Sequence, residues 1–198
     1  MDSHLIDYFD KEAKVYSERR NNGFLSKLVN KEKVSVLELL DIEKGEKILD
    51  AGCGDGDYSV SIKDQCAIPY GVDISSSMID KYLSLGFDGR IADISTMKLN
   101  NYFDKILCAG SLEFVFLPNK AINNLCAHLK EKGIIVWLYP RKSFGGYLYK
   151  FYHLIKNNIG IHLFSKSDIE YIINNNNLKI IDIKKPDFVT FAIKLQIK

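Results

Sequence analysis

The run ILDAGCGDGDYS, Ile48 to Ser59, constrains this chain more than any other segment of its length. An apolar stretch ends in an acid, Asp50, and Gly52, Gly54 and Gly56 then follow at alternate positions ahead of a helix-forming sequence. Glycines spaced in this way let the backbone bend sharply and approach a ligand with no side chain between. The helix that follows points its first amides at the bend, where an anionic group can settle. Strand, bend and helix make the start of a β-α-β unit, and the next residues repeat that alternation. Strands are predicted at Lys47–Ala51, Ile68–Asp73, Phe87–Ala92, Lys105–Ala109 and Gly133–Tyr139, with helices near Tyr58–Cys66, Ser76–Leu85 and Asn119–Lys130. Parallel strands need crossovers, so the fold class is α/β with a doubly wound, mostly parallel sheet.

Both ends depart from that repeat. Leu5, Phe9, Ala13 and Tyr16 recur at near-helical spacing, and a second helical pattern runs from about Asn30 to Leu40, so the chain opens with helices. Near the other end, Ser165 and Asp168 make a capping-box-like start to a helix reaching about Asn174. Leu178–Ile183 is a sixth strand, and Val189, Phe191, Ile193, Leu195 and Ile197 alternate with smaller or polar residues as a seventh. The short connection through Lys184–Asp187 requires these last two to be antiparallel. Asn174–Asn177 reads as a polar loop.

A chain of 198 residues suits one domain, divided here into a helical cover (1–44), a core (45–140), a lid segment (141–166) and closing helix and strands (167–198). Its net charge of +2 demotes nucleic acid as a partner. The four cysteines have no metal-ligand spacing and sit among small or apolar neighbours, which predicts buried reduced thiols, no metal and a cytoplasmic setting. The acidic N-terminus is unlike a signal peptide, and the longest apolar run, Ile134–Tyr139, is too short to span a bilayer, so a soluble protein is expected.

Two ligand types compete for the glycine bend. A nicotinamide dinucleotide site has G-x-G-x-x-G, but Asp57 takes the third glycine's place and would repel a pyrophosphate. Asp50 ahead of G-x-G-x-G instead suits a ligand with a positively charged amino acid end. Here the sequence resembles the class I methyltransferases that use S-adenosylmethionine and release S-adenosylhomocysteine. Asp50, Ala51, Gly52, Gly54 and Gly56 resemble their first motif, and GVDIS (Gly71–Ser75), ADIS (Ala92–Ser95), CAGSLEFV (Cys108–Val115) and LKEKGIIVWLYP (Leu129–Pro140) resemble the later ones in order.

The resemblance implies a Rossmann-like seven-stranded sheet, mostly parallel with an antiparallel C-terminal strand. It also implies that Asp73 takes the ribose hydroxyls, that Asp93 accepts from the adenine amino group, and that Ile74 and Ile94 wall the ring. Ala109 and Gly110 would lie beneath the reactive methyl, and Tyr8, Tyr16 and Arg20 of the leading helix would fold over the cofactor and meet its carboxylate. The resemblance to enzymes acting on adenine or amide nitrogens stops after the fourth strand, where they carry N-P-P-Y or D-P-P-Y and this chain has Ala109–Leu112.

Methyl transfer from a sulfonium mainly requires alignment and exclusion of water. A hydroxyl or ammonium acceptor also needs a base. The candidates are His153 and His162, in the segment after the fifth strand, and Glu113, just after the fourth. Residues 141–166 hold five Lys or Arg and no acid, with Phe144, Tyr147, Leu148, Phe151 and Ile155 on one helical face. A lid over a small apolar acceptor, a peripheral membrane contact and plain packing all fit that pattern. A non-catalytic cofactor-binding sensor and a nicotinamide oxidoreductase stand as the other functional readings.

Overall fold

The computed structural model describes residues 3–13 and 23–198. Among the described residues, two leading helices, α1 (Ser3–Glu12) and α2 (Gly23–Leu40), precede an alternation of strands and helices. That alternation runs β1 (Lys47–Ala51), α3 (Asp57–Asp64), β2 (Ile68–Asp73), α4 (Ser76–Ser84), β3 (Asp88–Ile91) and β4 (Phe103–Ala109). After a single 3-10 turn at Leu112–Phe114 come α5 (Pro118–Cys126), β5 (Leu129–Pro140), α6 (Phe144–Asn157), α7 (Lys166–Asn175), β6 (Leu178–Lys184) and β7 (Thr190–Ile197).

The strands form one sheet in the order β3-β2-β1-β4-β5-β7-β6, parallel except for β7, which runs antiparallel to both its neighbours. Successive strand residues point to opposite faces, and the apolar runs supply both. Leu49, Ile106, Ile135 and Ile193 pack on one side with Ile122 of α5 and Ile172 of α7. Ile48, Leu107, Val136 and Ala192 pack on the other with Val36, Leu39 and Leu40 of α2 and Ile62 of α3. Each such side chain contributes about 1.5–3 kcal/mol by leaving water. The doubly wound sheet therefore follows from strands whose apolar residues fall on both faces.

Local starts and stops also follow the sequence. Ser165 and Asp168 close the capping box of α7, and Ser75 and Ser143 cap α4 and α6 through their hydroxyls. Several boundaries move. The helix expected over Asn119–Lys130 stops at Cys126, because Leu129 is already paired with Phe103 in the sheet. Asn174 and Asn175 belong to the last turn of α7, and the reversal falls on Asn176 and on Asn177, whose φ of 52° is a conformation asparagine tolerates. The second helix starts at Gly23, earlier than its apolar pattern indicates. All four thiols are free, but Cys66 is exposed, contrary to expectation, while Cys53 and Cys108 are buried. No helix among the described residues is long and apolar enough to cross a membrane.

Candidate functional site

Strand order reverses about β1, whose neighbours β2 and β4 connect in opposite directions, and open α/β sheets bind ligands at such a point beyond the strand tips. A cleft of about 650 Å³ lies there. Its floor is the glycine turn. Gly52, Gly54 and Gly56 all have positive φ (82°, 52° and 89°), and a Cβ at Gly52 would lie 2.4 Å from that of Ser111. Ser111 is held in place by donating its hydroxyl to the Ala51 carbonyl at 2.8 Å.

Asp73, at the tip of β2, accepts from the amides of Gly54 and Ser75, both at 2.9 Å, one on each oxygen. Each oxygen keeps a lone pair for a ligand hydroxyl. Burial raises Asp73 above its ordinary value, and the amides of Ser75, Gly54 and Ile74 oppose that rise. Asp93 is half-buried on the same wall, its Oδ1 accepting from the amide and hydroxyl of Ser95. Ile74, Ile94, Ala109, Gly110 and His162 also line the cleft. Burial and the nearby Lys150 and Lys142 lower the His162 pKa, against an opposing effect of Asp168. The imidazole is thus neutral near pH 7 and able to accept a proton.

Other sequence candidates lie elsewhere. Asp50 is 2% exposed beneath the turn, accepting from Ser59 Oγ at 2.7 Å. Burial pushes it up to about 7, against the Ser59 bond and with help from Asp73, Asp57 and Asp55. It ties α3 to β1 and does not reach the cleft. Ala51 is fully buried, and Gly56 backs onto Leu85, Tyr82 and Phe87. Glu113 is 3% exposed with Oε2 unpartnered, and burial raises it to about 8; the cleft is lined by the next residue, Phe114, instead. His153 faces inward from α6, its ring edge-on to Tyr149 (4.6 Å) and Phe114 (5.8 Å). Tyr8 accepts from Asn157 of α6 at 3.1 Å rather than entering the cleft. Tyr16 and Arg20 lie outside the described residues.

The structure also brings in residues that the motifs did not mark. Leu5 and Phe9 of α1 cover the cleft. Their helix is anchored by Asp10, which accepts from Ser75 Oγ and from the Ser77 amide (3.1 Å). These bonds hold Asp10 below its ordinary value although partial burial acts in the other direction. The i, i+4 spacing of Leu5 and Phe9 was legible as an apolar stripe, but not what it covers. Asp55 and Asp57 join Asp73 and Asp93, so four carboxylates line the cleft. Lys33 pairs with Asp57 at 2.7 Å, and Lys120 is the one cation lining the cleft among the described residues. A pyrophosphate would meet net negative charge here, whereas a cationic ligand with vicinal hydroxyls and a flat ring finds partners for each part.

The family model for a methyltransferase domain matches residues 19–183. The ubiquinone biosynthesis O-methyltransferase of Coxiella burnetii is 32% identical over 130 residues, which are 62% of this chain and 55% of that protein. The mitochondrial ubiquinone biosynthesis O-methyltransferase of Schizosaccharomyces pombe is 28% identical over 144 residues, 66% of this chain and 53% of that one. The chain thus spans about half the length of these relatives. Among solved structures, the magnesium protoporphyrin IX methyltransferase of Synechocystis with bound S-adenosylhomocysteine superposes with a TM-score of 0.78 at 16% identity, covering 98% of both chains. An S-adenosylmethionine dependent methyltransferase of Mesorhizobium loti gives 0.75 at 14% identity, covering 84% of this chain and 97% of that one. At such identities the likeness establishes the fold.

Proposed function

Because the chain belongs to the methyltransferase domain family, we propose that it transfers the methyl group of S-adenosylmethionine to a small, partly apolar acceptor by in-line displacement, in the cytoplasm. The observation that carries this reading is the cleft's four carboxylates around a glycine turn at the reversal of strand order. A sulfonium cofactor with an ammonium group is cationic where a dinucleotide is anionic. When bound, it supplies a methyl group on a sulfur that leaves as a neutral thioether.

The chain's own residues then have limited work. Asp73, Asp93, Ile74 and Ile94 all line the cleft, where Asp73 would take the ribose hydroxyls on its remaining lone pairs, Asp93 would accept from the adenine amino group, and Ile74 and Ile94 would hold the ring. Leu5, Phe9 and Phe114 of the cleft lining would exclude water from the reacting end, and Ala109 and Gly110 would leave room beneath it. His162 accepts the proton of a hydroxyl or ammonium acceptor.

Calorimetric titration should show S-adenosylmethionine and S-adenosylhomocysteine binding in the micromolar range and NAD not binding; tight NAD binding would overturn the assignment. Radiolabelled methyl transfer to a panel of phenolic and carboxylic acceptors then separates an enzyme from a cofactor-binding sensor.

The finer reading of residues 141–166 is a peripheral contact with an anionic membrane surface. Helix α6 turns its small face inward: a Cβ on Gly145 would meet Phe188 at 2.5 Å, and one on Gly146 would meet the Arg141 carbonyl at 2.0 Å. Phe144, Leu148, Phe151 and Ile155 therefore point outward, at 83%, 54%, 61% and 67% exposure. Lys150 and Lys156 flank that apolar arc on its two sides, as in helices that lie in a lipid interface. The protein is expected to sediment with vesicles containing phosphatidylglycerol and not with phosphatidylcholine alone, and F151S/I155S to stay in the supernatant. Equal sedimentation of variant and parent would exclude α6 as the contact.

A further inference from the structure

A second cavity of about 640 Å³ adjoins the cleft and shares Leu117, Lys120 and His162 with it. Its charge is opposite. Among the described residues, Lys120, Lys142 and Lys150 line it against a single acid, Asp168. That acid is already satisfied: it accepts from Lys142 Nζ at 3.0 Å and from the Ser165 amide and hydroxyl, which hold its pKa down at about 2 despite partial burial. Two positive charges remain uncompensated in a concave site, where they act more strongly than on a flat surface. Tyr147, Phe164 and Tyr171 give the same groove flat apolar walls.

We propose that this groove holds an anionic group of the methyl acceptor, so that the molecule methylated is an aromatic or apolar frame bearing a carboxylate or phosphate. The proposal rests on the methyltransferase reading above and deepens it by naming the acceptor's chemistry. The geometry is that of two adjacent compartments of opposite sign with a wall in common. The acidic one matches a cationic methyl donor, and the basic one matches an anion. Lysine suits the second role as a point charge that accepts either anion without demanding a bidentate geometry. An acceptor anchored by its anion in the groove extends toward the shared wall, where His162 stands between the two compartments. Burial lowers the His162 pKa most, and Lys150 and Lys142 of the groove act in the same direction against Asp168.

The test uses 3-hydroxy-2-naphthoate and 2-naphthyl phosphate as anionic probes and 2-naphthol as their neutral counterpart. Each is titrated calorimetrically into the protein with and without saturating S-adenosylhomocysteine. At least one anion should bind about tenfold or more tightly than 2-naphthol, and which one does identifies the anion. In K142M/K150M, whose substitutions lie in the groove and not in the cleft, the preference should vanish while S-adenosylhomocysteine affinity is unchanged. That retained affinity also shows that the variant is folded. Equal binding of all three probes, including failure of all three, would overturn the proposal, as would a preference that survives in the variant. If the parent protein fails to bind S-adenosylhomocysteine, the methyltransferase reading fails instead, and the titrations without it still report on the groove.

Discussion

Gly52→Ala is expected to abolish measurable S-adenosylmethionine binding. The added Cβ would lie 2.4 Å from Ser111 Cβ and 2.8 Å from Ser111 Oγ, well inside contact distance, on a backbone with φ of 82°. Left-handed backbone costs a non-glycine residue about 1–2 kcal/mol, and overpacking about 1–3 kcal/mol more. The turn relieves this by moving, and it moves the floor of the cleft, since the Gly52 and Cys53 amides are both bonded to the Val72 carbonyl. Calorimetry should show an affinity loss beyond about a hundredfold, together with a lower melting temperature, as a penalty of this size implies. G52A/S111G removes the atoms that clash and should recover part of the affinity, leaving the backbone cost. Full affinity in G52A would mean that the ligand does not sit on this turn.

Asp73→Asn is nearly isosteric, and its expected effect is as large. In the native chain one carboxylate oxygen accepts from Gly54 and the other from Ser75. An asparagine can accept from only one of these amides, because its NH2 group faces the other as a second donor. Leaving that amide unpaired costs about 1–3 kcal/mol, and charge-assisted bonds to the ribose hydroxyls, each worth about 1.5–3 kcal/mol, are lost as well. S-adenosylmethionine affinity should fall about a hundredfold or more, with a modest loss of thermal stability. Adenine alone, which does not use Asp73 in this reading, should bind D73N as it binds the parent. An unchanged affinity for the whole cofactor would remove Asp73 from the site.

Much of this was legible because the signals are local. The apolar run of β1, the alternating glycines and the serine caps depend on residues within one turn of each other, so neighbours in sequence determine them. The acids at the strand tips were legible for a related reason: in a parallel sheet every strand ends on the same side, so Asp73 and Asp93 converge without any knowledge of packing.

What sequence periodicity could not supply was direction. It marked Asp50, Glu113 and His153 as candidates by their places in the chain, but packing buries all three. It marked the apolar arc of α6 but not that two glycines would turn that arc outward. It paired the last two strands as antiparallel but did not show that the sheet inserts β7 between β5 and β6, a choice made by pairing partners far apart in the chain. The setting of an acidic and a basic cavity on either side of Leu117, Lys120 and His162 is of the same kind. The sequence alone determined the doubly wound sheet and its glycine turn, because backbone geometry and hydrophobic pattern act over a few residues. The tertiary structure decided which charged groups face a shared space, because burial and electrostatic fields depend on distances that only the folded chain sets.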